Sequence, residues 1–310
     1  MFNNIFNQLW VEKYRPAHLN DLVLAPEIKE YFQNAIKEGT IPHLLFCGPA
    51  GTGKTTLAKI LVNELDSIYR YINASDERTL ESVREKILPF AQTKSIDGKL
   101  KIIILDELDG FLPDSQRALR NIMEEYSDNL RFIMTANFKN RIILPLKSRT
   151  ISFELMPPLK EVTSRIVNII KNENIIINDD QKPLLKDLIS TNYPDIRKII
   201  GLLQKYTTKN VLNIKKETSK NLFAREILKL IKKEDINTIR NFIIQNEIDF
   251  NSDYLILLKG LFEEIYNSDI PQDKKTQALV LIGDAMYKHQ FVMDFEINAF
   301  CCVIQLQKIL

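Results

Sequence analysis

The sequence predicts a parallel α/β domain followed by helical domains, and three observations support this. Five short apolar runs occupy residues 43–47, 69–73, 101–105, 130–135 and 150–155. Several are continuously apolar instead of alternating, as strands covered on both faces of a parallel sheet read. Between the runs the apolar residues recur at helical spacing, and beyond Pro157 and Pro158 no further strand series follows.

Taken in order, Ile28, Tyr31, Phe32, Ala35 and Ile36 mark a helix ahead of the first strand. Leu57, Leu61 and Leu65 mark one after it, and Ala118, Leu119, Ile122, Met123 and Tyr126 a third. Such alternation implies βαβ units with right-handed crossovers. From 159 to about 212, and again from about 220 to 310, the pattern is helical, with a polar link over 213–219. Three domains are expected: an α/β domain over 1–155, a small helical domain over 156–215 and a second helical domain over 216–310.

Composition removes several classes of protein. The 310 residues are 45% hydrophobic and 26% charged, enough to bury sizeable cores. Forty-two basic residues against 40 acidic ones leave a net charge of only +2, so any basic surface must be local. Cys47, Cys301 and Cys302 cannot build a disulfide scaffold, and His18, His43 and His289 are too scattered for a metal centre. No uncharged stretch approaches a membrane span, and residues 1–10 carry no basic leader. A soluble protein of a reducing compartment is expected, with Cys47 and the Cys301–Cys302 pair packed in cores.

Gly48-Pro49-Ala50-Gly51-Thr52-Gly53-Lys54-Thr55 has the G-x-x-x-x-G-K-T spacing of a phosphate loop, and it lies where a strand turns into a helix. The glycines let backbone N–H groups approach phosphate oxygens, and the helix N-terminus adds its positive dipole end. Lys54 would reach the β and γ phosphates, and the Thr55 hydroxyl would ligate magnesium. The run 102–105 ends in Asp106 and Glu107. Alone, these acids would read as a helix cap. Beside a phosphate loop, Asp106 reads as the magnesium carboxylate and Glu107 as the base for the attacking water. Asn137 ends the next strand, placed to bond water or γ-phosphate, and Ser148-Arg149-Thr150 follows. A lone Arg is a weak motif, and its meaning here comes from that order.

The order resembles an AAA+ ATPase, and further segments resemble the clamp-loader branch of that family. Residues 10–16, WVEKYRP, are similar to the N-terminal box of replication factor C small subunits. Residues 73–78, NASDER, and 119–127, LRNIMEEYS, resemble two more boxes, and 192–198, NYPDIRK, its second sensor. The C-terminal third is most similar to the large subunit of T-even-type phage loaders. This resemblance implies an ATPase that opens a ring-shaped sliding clamp and loads it onto primer-template DNA during replication. It implies ATP and Mg2+ as cofactors, and a ring of copies of this chain with a different small subunit. The two helical domains would be a lid and an oligomerising collar.

By the same resemblance, Val11, Glu12, Lys13, Tyr14 and Val23 line the adenine pocket, and Gly51, Thr52, Gly53, Lys54, Thr55 and Thr56 wrap the phosphates. Asn137 is the first sensor, Arg197 the second, and Arg149 a finger donated to the neighbouring subunit. Arg78, Arg84 and Arg120 face DNA. Two positions depart from the family pattern: Thr150 replaces its cysteine and Thr79 a glycine. The basic stretch over 205–233 reads as a solvated helix face, with a DNA or partner surface as its other reading. The alternative functions are a cellular replication factor C small subunit and a DNA motor or remodeller such as a branch-migration helicase. The latter expects a winged-helix module that the helical C-terminal part does not show. A non-catalytic scaffold need not keep Lys54, Asp106 and Glu107 together.

Overall fold

The computed structural model describes residues 9–75, 79, 81, 83–95, 97–214, 220–231, 233–250 and 253–310. The chain divides into two compact units, 1–214 and 215–310.

In the first unit, α1 (Trp10–Lys13) and α2 (Pro26–Glu38) precede β1 (Leu44–Cys47). Then come α3 (Lys54–Glu64), β2 (Ile68–Asn73), α4 (Leu88–Gln92), β3 (Lys101–Asp106), α5 (Pro113–Glu125) and β4 (Leu130–Ala136), followed by α6 (Leu144–Lys147) and β5 (Ile151–Glu154). The strands form one parallel sheet in the order β2-β3-β4-β1-β5. The period-two alternation of strand side chains splits its apolar residues between two cores. Leu45, Ile103, Leu105, Phe132 and Met134 pack with Leu119 and Met123 on one face. Leu44, Phe46, Ile102, Ile104 and Ile133 pack with Phe32, Leu57 and Leu61 on the other. Phe32 and Phe46 are fully buried, edge to face, with ring centroids 5.6 Å apart. Truncating either to Ala would cost about 3–5 kcal/mol.

β1 and β3 are buried at every residue, as their apolar runs indicated, but β2 is not. It is an edge strand whose Ile68, Tyr69 and Tyr71 are exposed, and among the described residues no strand pairs on its outer side. β5 is the other edge and is largely exposed as well.

After β5 come three helices, α7 (Leu159–Asn172), α8 (Gln181–Asn192) and α9 (Ile196–Tyr206). Asp195 caps α9, its carboxylate accepting from the Lys198 N–H at 2.9 Å. A short antiparallel pair, β6 (Thr207–Thr208) and β7 (Val211–Leu212), follows, which the helical reading of 159–212 did not anticipate. Two-residue strands are too short to carry a periodic signal. Ile166, Ile169, Leu188, Ile199 and Leu203 form a core that Trp10, Val11, Tyr14 and Val23 join. The N-terminal segment therefore packs on helices more than 140 residues away, and the Trp10 N–H donates to Gln204 Oε1 at 3.0 Å.

The second unit is α10 (Lys220–Ile231), α11 (Ile236–Gln245), α12 (Tyr254–Tyr266), α13 (Gln272–Lys288) and α14 (Phe295–Ile309) around one core. Its described residues include no strand. Cys302 is buried, which pushes its thiol up to about 12, whereas Cys301, one position earlier on the helix, is exposed. Among the described residues no helix is long and apolar enough to cross a membrane.

Candidate nucleotide-binding site

The glycine-rich loop leaves the end of β1 and turns directly into α3. Gly51 and Gly53 sit at φ +73° and +94°, a region costly for any side chain, so the tight turn requires glycine. A Cβ at Gly51 would also meet Asp195 Oδ1 at 1.8 Å. The Gly51 carbonyl accepts from the Ile196 N–H at 3.2 Å, tying the loop to the start of α9 one residue before Arg197.

Lys54 is buried, its ammonium donating to the carbonyls of Gly48 and Pro49, each at 2.7 Å. Burial pushes it below the ordinary lysine value, while the charges of Asp106 and Asp109 pull the other way. The Thr55 hydroxyl donates to Asp106 Oδ1 at 2.8 Å and the Thr135 hydroxyl to the same oxygen at 2.6 Å. The Tyr71 hydroxyl donates to Oδ2 at 2.7 Å. Strand order explains the meeting: β4 lies between β1 and β3, so Thr135 bridges the loop and the acids.

Glu107 takes the left-handed conformation at φ +57°, uncommon outside glycine, and its N–H donates to Thr135 Oγ1 at 3.0 Å. Its carboxylate accepts from Ser75 Oγ at 2.5 Å. Asn137 shares a groove with Glu107, Ser75, Asp109 and Arg141. Asp109 fixes that strand end by accepting from the N–H groups of Asn137 and Phe138, each at 3.2 Å.

Beside the loop lies a cleft lined by Val11, Tyr14, Val23, Gly51, Thr52, Gly53, Thr56 and Arg197, all anticipated from the sequence. Arg15, Ile200 and Arg165 line it too. Arg165, on α7, donates to the Tyr14 carbonyl at 2.6 Å and the Asp21 carbonyl at 2.8 Å, clipping two walls of the cleft together.

Glu12 and Lys13 are not among the residues that line the cleft. Glu12 pairs with Arg15 at 2.5 Å, whose hydrogen bond holds its carboxyl low, and Lys13 pairs with Glu173 at 2.6 Å. Tyr14 also donates to Glu173, and burial with that bond raises its phenol above the ordinary value.

Arg149 is absent from the cleft. It pairs with Glu124 on α5 and donates to the Pro145 carbonyl at 2.9 Å. Arg120 pairs with the same Glu124 oxygen at 3.3 Å, and the two arginines, Arg120 first, hold that carboxyl low. Arg78 and the side chain of Arg84 lie outside the described residues. Tyr71, Asp109 and Arg165 were not legible as site residues, because each is an ordinary residue in no fixed motif, and Ser75 was legible only as part of the 73–78 box, with no role of its own. Among the described residues no cluster of three His, Cys, Asp or Glu could hold a metal.

A glycine-rich loop after an inner strand, with paired carboxylates ending a second inner strand, defines a P-loop nucleotide hydrolase. Residues 44–157 match the model of the ATPase family associated with various cellular activities (AAA). Residues 156–214 match the sliding-clamp-loader large subunit, AAA+ ATPase lid domain. The chain is 35% identical to replication factor C small subunit 2 of Pyrobaculum islandicum, over 90% of each chain. It is 32% identical to the sliding-clamp-loader large subunit of Escherichia phage RB69, over 95% of this chain and 94% of that one. Thermotoga maritima RuvB, a Holliday junction branch migration motor, shares the fold, with a TM-score of 0.53 at 19% identity, covering 86% of this chain and 85% of that one. The chain belongs to the clamp-loader family of AAA+ ATPases and is an ATP-hydrolysing enzyme.

Proposed function

We propose that this chain is the ATPase subunit of a sliding-clamp loader, assembling with copies of itself and a different small subunit to place a ring-shaped clamp on primer-template DNA. One observation supports this above the others. The cleft carries the phosphate loop, whose Thr55 reaches Asp106, while Arg149 does not line it and pairs with Glu124 on α5 instead. Such a site is completed by a neighbour, as in a ring of subunits. Relatives named as replication factor C small subunits and as a sliding-clamp-loader large subunit supply the substrate class. A branch-migration motor shares only the fold.

The donor set fits ATP with Mg2+. Thr55 and Asp106 offer two oxygens 2.8 Å apart, the few hard ligands a strongly hydrated Mg2+ takes from protein when phosphates and water supply the rest. When bound, that ion neutralises phosphate charge. Lys54 would exchange its two carbonyl partners for β and γ oxygens, and the loop N–H groups would wrap the phosphates. Val11, Tyr14 and Val23 would flank the adenine. Glu107 would accept the proton of the attacking water once Ser75 yields it, with Asn137 beside that water. Arg197 would report the γ-phosphate to the lid, Arg149 would reach the next subunit's site, and Arg78, Arg84 and Arg120 would contact DNA phosphates without reading bases. We assign residues 1–155 as the ATP-binding domain, 156–215 as the lid and 216–310 as the collar, in a cytoplasmic protein.

The test is ATP turnover by the ring purified with its co-expressed small subunit, with and without clamp and primed DNA. Turnover is expected to rise when both are added. Turnover indifferent to both refutes the clamp-loading assignment.

A further inference from the structure

We infer that Tyr71 is a positioning residue for the magnesium carboxylate Asp106, an inference that rests on the ATP–magnesium reading of the site. Tyr71 lies on β2, the sheet edge, two residues before the position paired with Asp106: Tyr71 faces Ile104 in the register and Asn73 faces Asp106. Tyr71 as a residue is 41% exposed, yet its hydroxyl reaches Asp106 Oδ2 at 2.7 Å, on a residue only 8% exposed. An edge tyrosine usually leaves its hydroxyl in water. This one spends it on a buried acid.

The arrangement divides the carboxylate between two kinds of support. Oδ1 takes the Thr55 and Thr135 hydroxyls, at 2.8 and 2.6 Å, and Oδ2 takes Tyr71. Among the described residues Asp106 forms no ion pair, so hydroxyls carry its orientation. Thr55 is also the hydroxyl a phosphate-loop ion would take as ligand, its oxygen lone pair serving the ion and its proton serving Oδ1. Thr135 and Tyr71 have no such second task and keep the carboxylate in place. The Tyr71 ring is itself seated by Lys59 of α3, whose ammonium lies 4.9 Å from the ring centroid. Helix α3 follows the phosphate loop directly, so one element carries both Thr55 and the support of the tyrosine.

Mg2+ tolerates little departure from octahedral geometry, and removing an outer-shell partner of a metal ligand typically costs 10–100-fold in metal affinity or activity. Tyr71→Phe deletes the hydroxyl and keeps the ring over Lys59. Binding of a fluorescent ATP analogue in EDTA is expected to match wild type. The tightening of that binding by added Mg2+ is expected to need about tenfold more Mg2+ than in wild type. Half-saturation of hydrolysis by Mg2+ should shift by the same factor, with turnover largely recovered at saturating Mg2+. A merely structural residue would weaken binding in EDTA as well. Tyr71→Leu, which drops ring and hydroxyl together, should shift the Mg2+ dependence at least as far. Wild-type Mg2+ dependence in either folded variant overturns the inference. If the wild-type protein binds the analogue equally with and without Mg2+, the underlying site reading falls instead.

Discussion

Replacing Arg149 with Ala separates catalysis from stability more sharply than any other change at the site. Arg149 holds Glu124, the Pro145 carbonyl and the neighbouring Ser148 hydroxyl, with its side chain 33% exposed. Surface pairs of this kind contribute little to stability, and nothing in the cleft touches the residue, so the variant should fold and bind nucleotide normally. A trans arginine in well-studied nucleotide hydrolases contributes about 10³–10⁵ in rate. That corresponds to about 4–7 kcal/mol of barrier, far beyond any surface effect. The assay mixes Arg149→Ala subunits with Glu107→Gln subunits in the assembled ring and follows DNA-stimulated phosphate release. Each variant alone should be inactive, for opposite reasons. In mixed rings some interfaces pair an intact Arg149 with an intact Glu107, and those should recover part of the rate. If no mixing ratio restores hydrolysis, while wild-type subunits diluted into the same rings stay active, Arg149 does not act across an interface.

Further outcomes are expected at other positions. Lys54→Ala should lose ATP binding itself, because the buried ammonium between the loop carbonyls is the cation positioned for the phosphates. Glu107→Gln should bind ATP with near wild-type affinity and lose turnover, since an amide cannot accept the proton of water; equal loss of affinity in both, measured with labelled ATP, would contradict the roles assigned. His43, partly buried, accepts from the Phe132 N–H at 3.1 Å, and burial holds it down at about 4 against an ordinary 6.5. The unfolded chain therefore takes up this proton first, so stability is intact above about pH 6.5 and falls as the pH drops toward 4. The loss between pH 7 and 5 is about 2 kcal/mol, visible in urea melts. His43→Gln, which keeps an acceptor and cannot titrate, should show a correspondingly shallower pH dependence.

The sequence by itself determined the sheet, the phosphate loop and the acids that end β3. Each of those signals is local: a strand buried on both faces is apolar at every position, and a loop wrapping phosphate needs glycine at fixed spacing. The resemblance carried Val11, Tyr14, Val23 and Arg197 to one cleft, and they meet there. It also carried Glu12 and Lys13, which pair with Arg15 and Glu173. Only the tertiary structure showed that β2 is an edge, because strand order depends on which strands pair and leaves no mark on a single run. The same pairing decided what holds the acids. Tyr71, Ser75 and Thr135 reach Asp106 or Glu107 from strands or strand ends that lie tens of residues away in the chain. Arg165 likewise closes the cleft from a helix some 150 residues beyond the walls it joins. Hydroxyls and guanidinium groups find partners by direction and distance across folded elements, and neither quantity exists until the chain has folded.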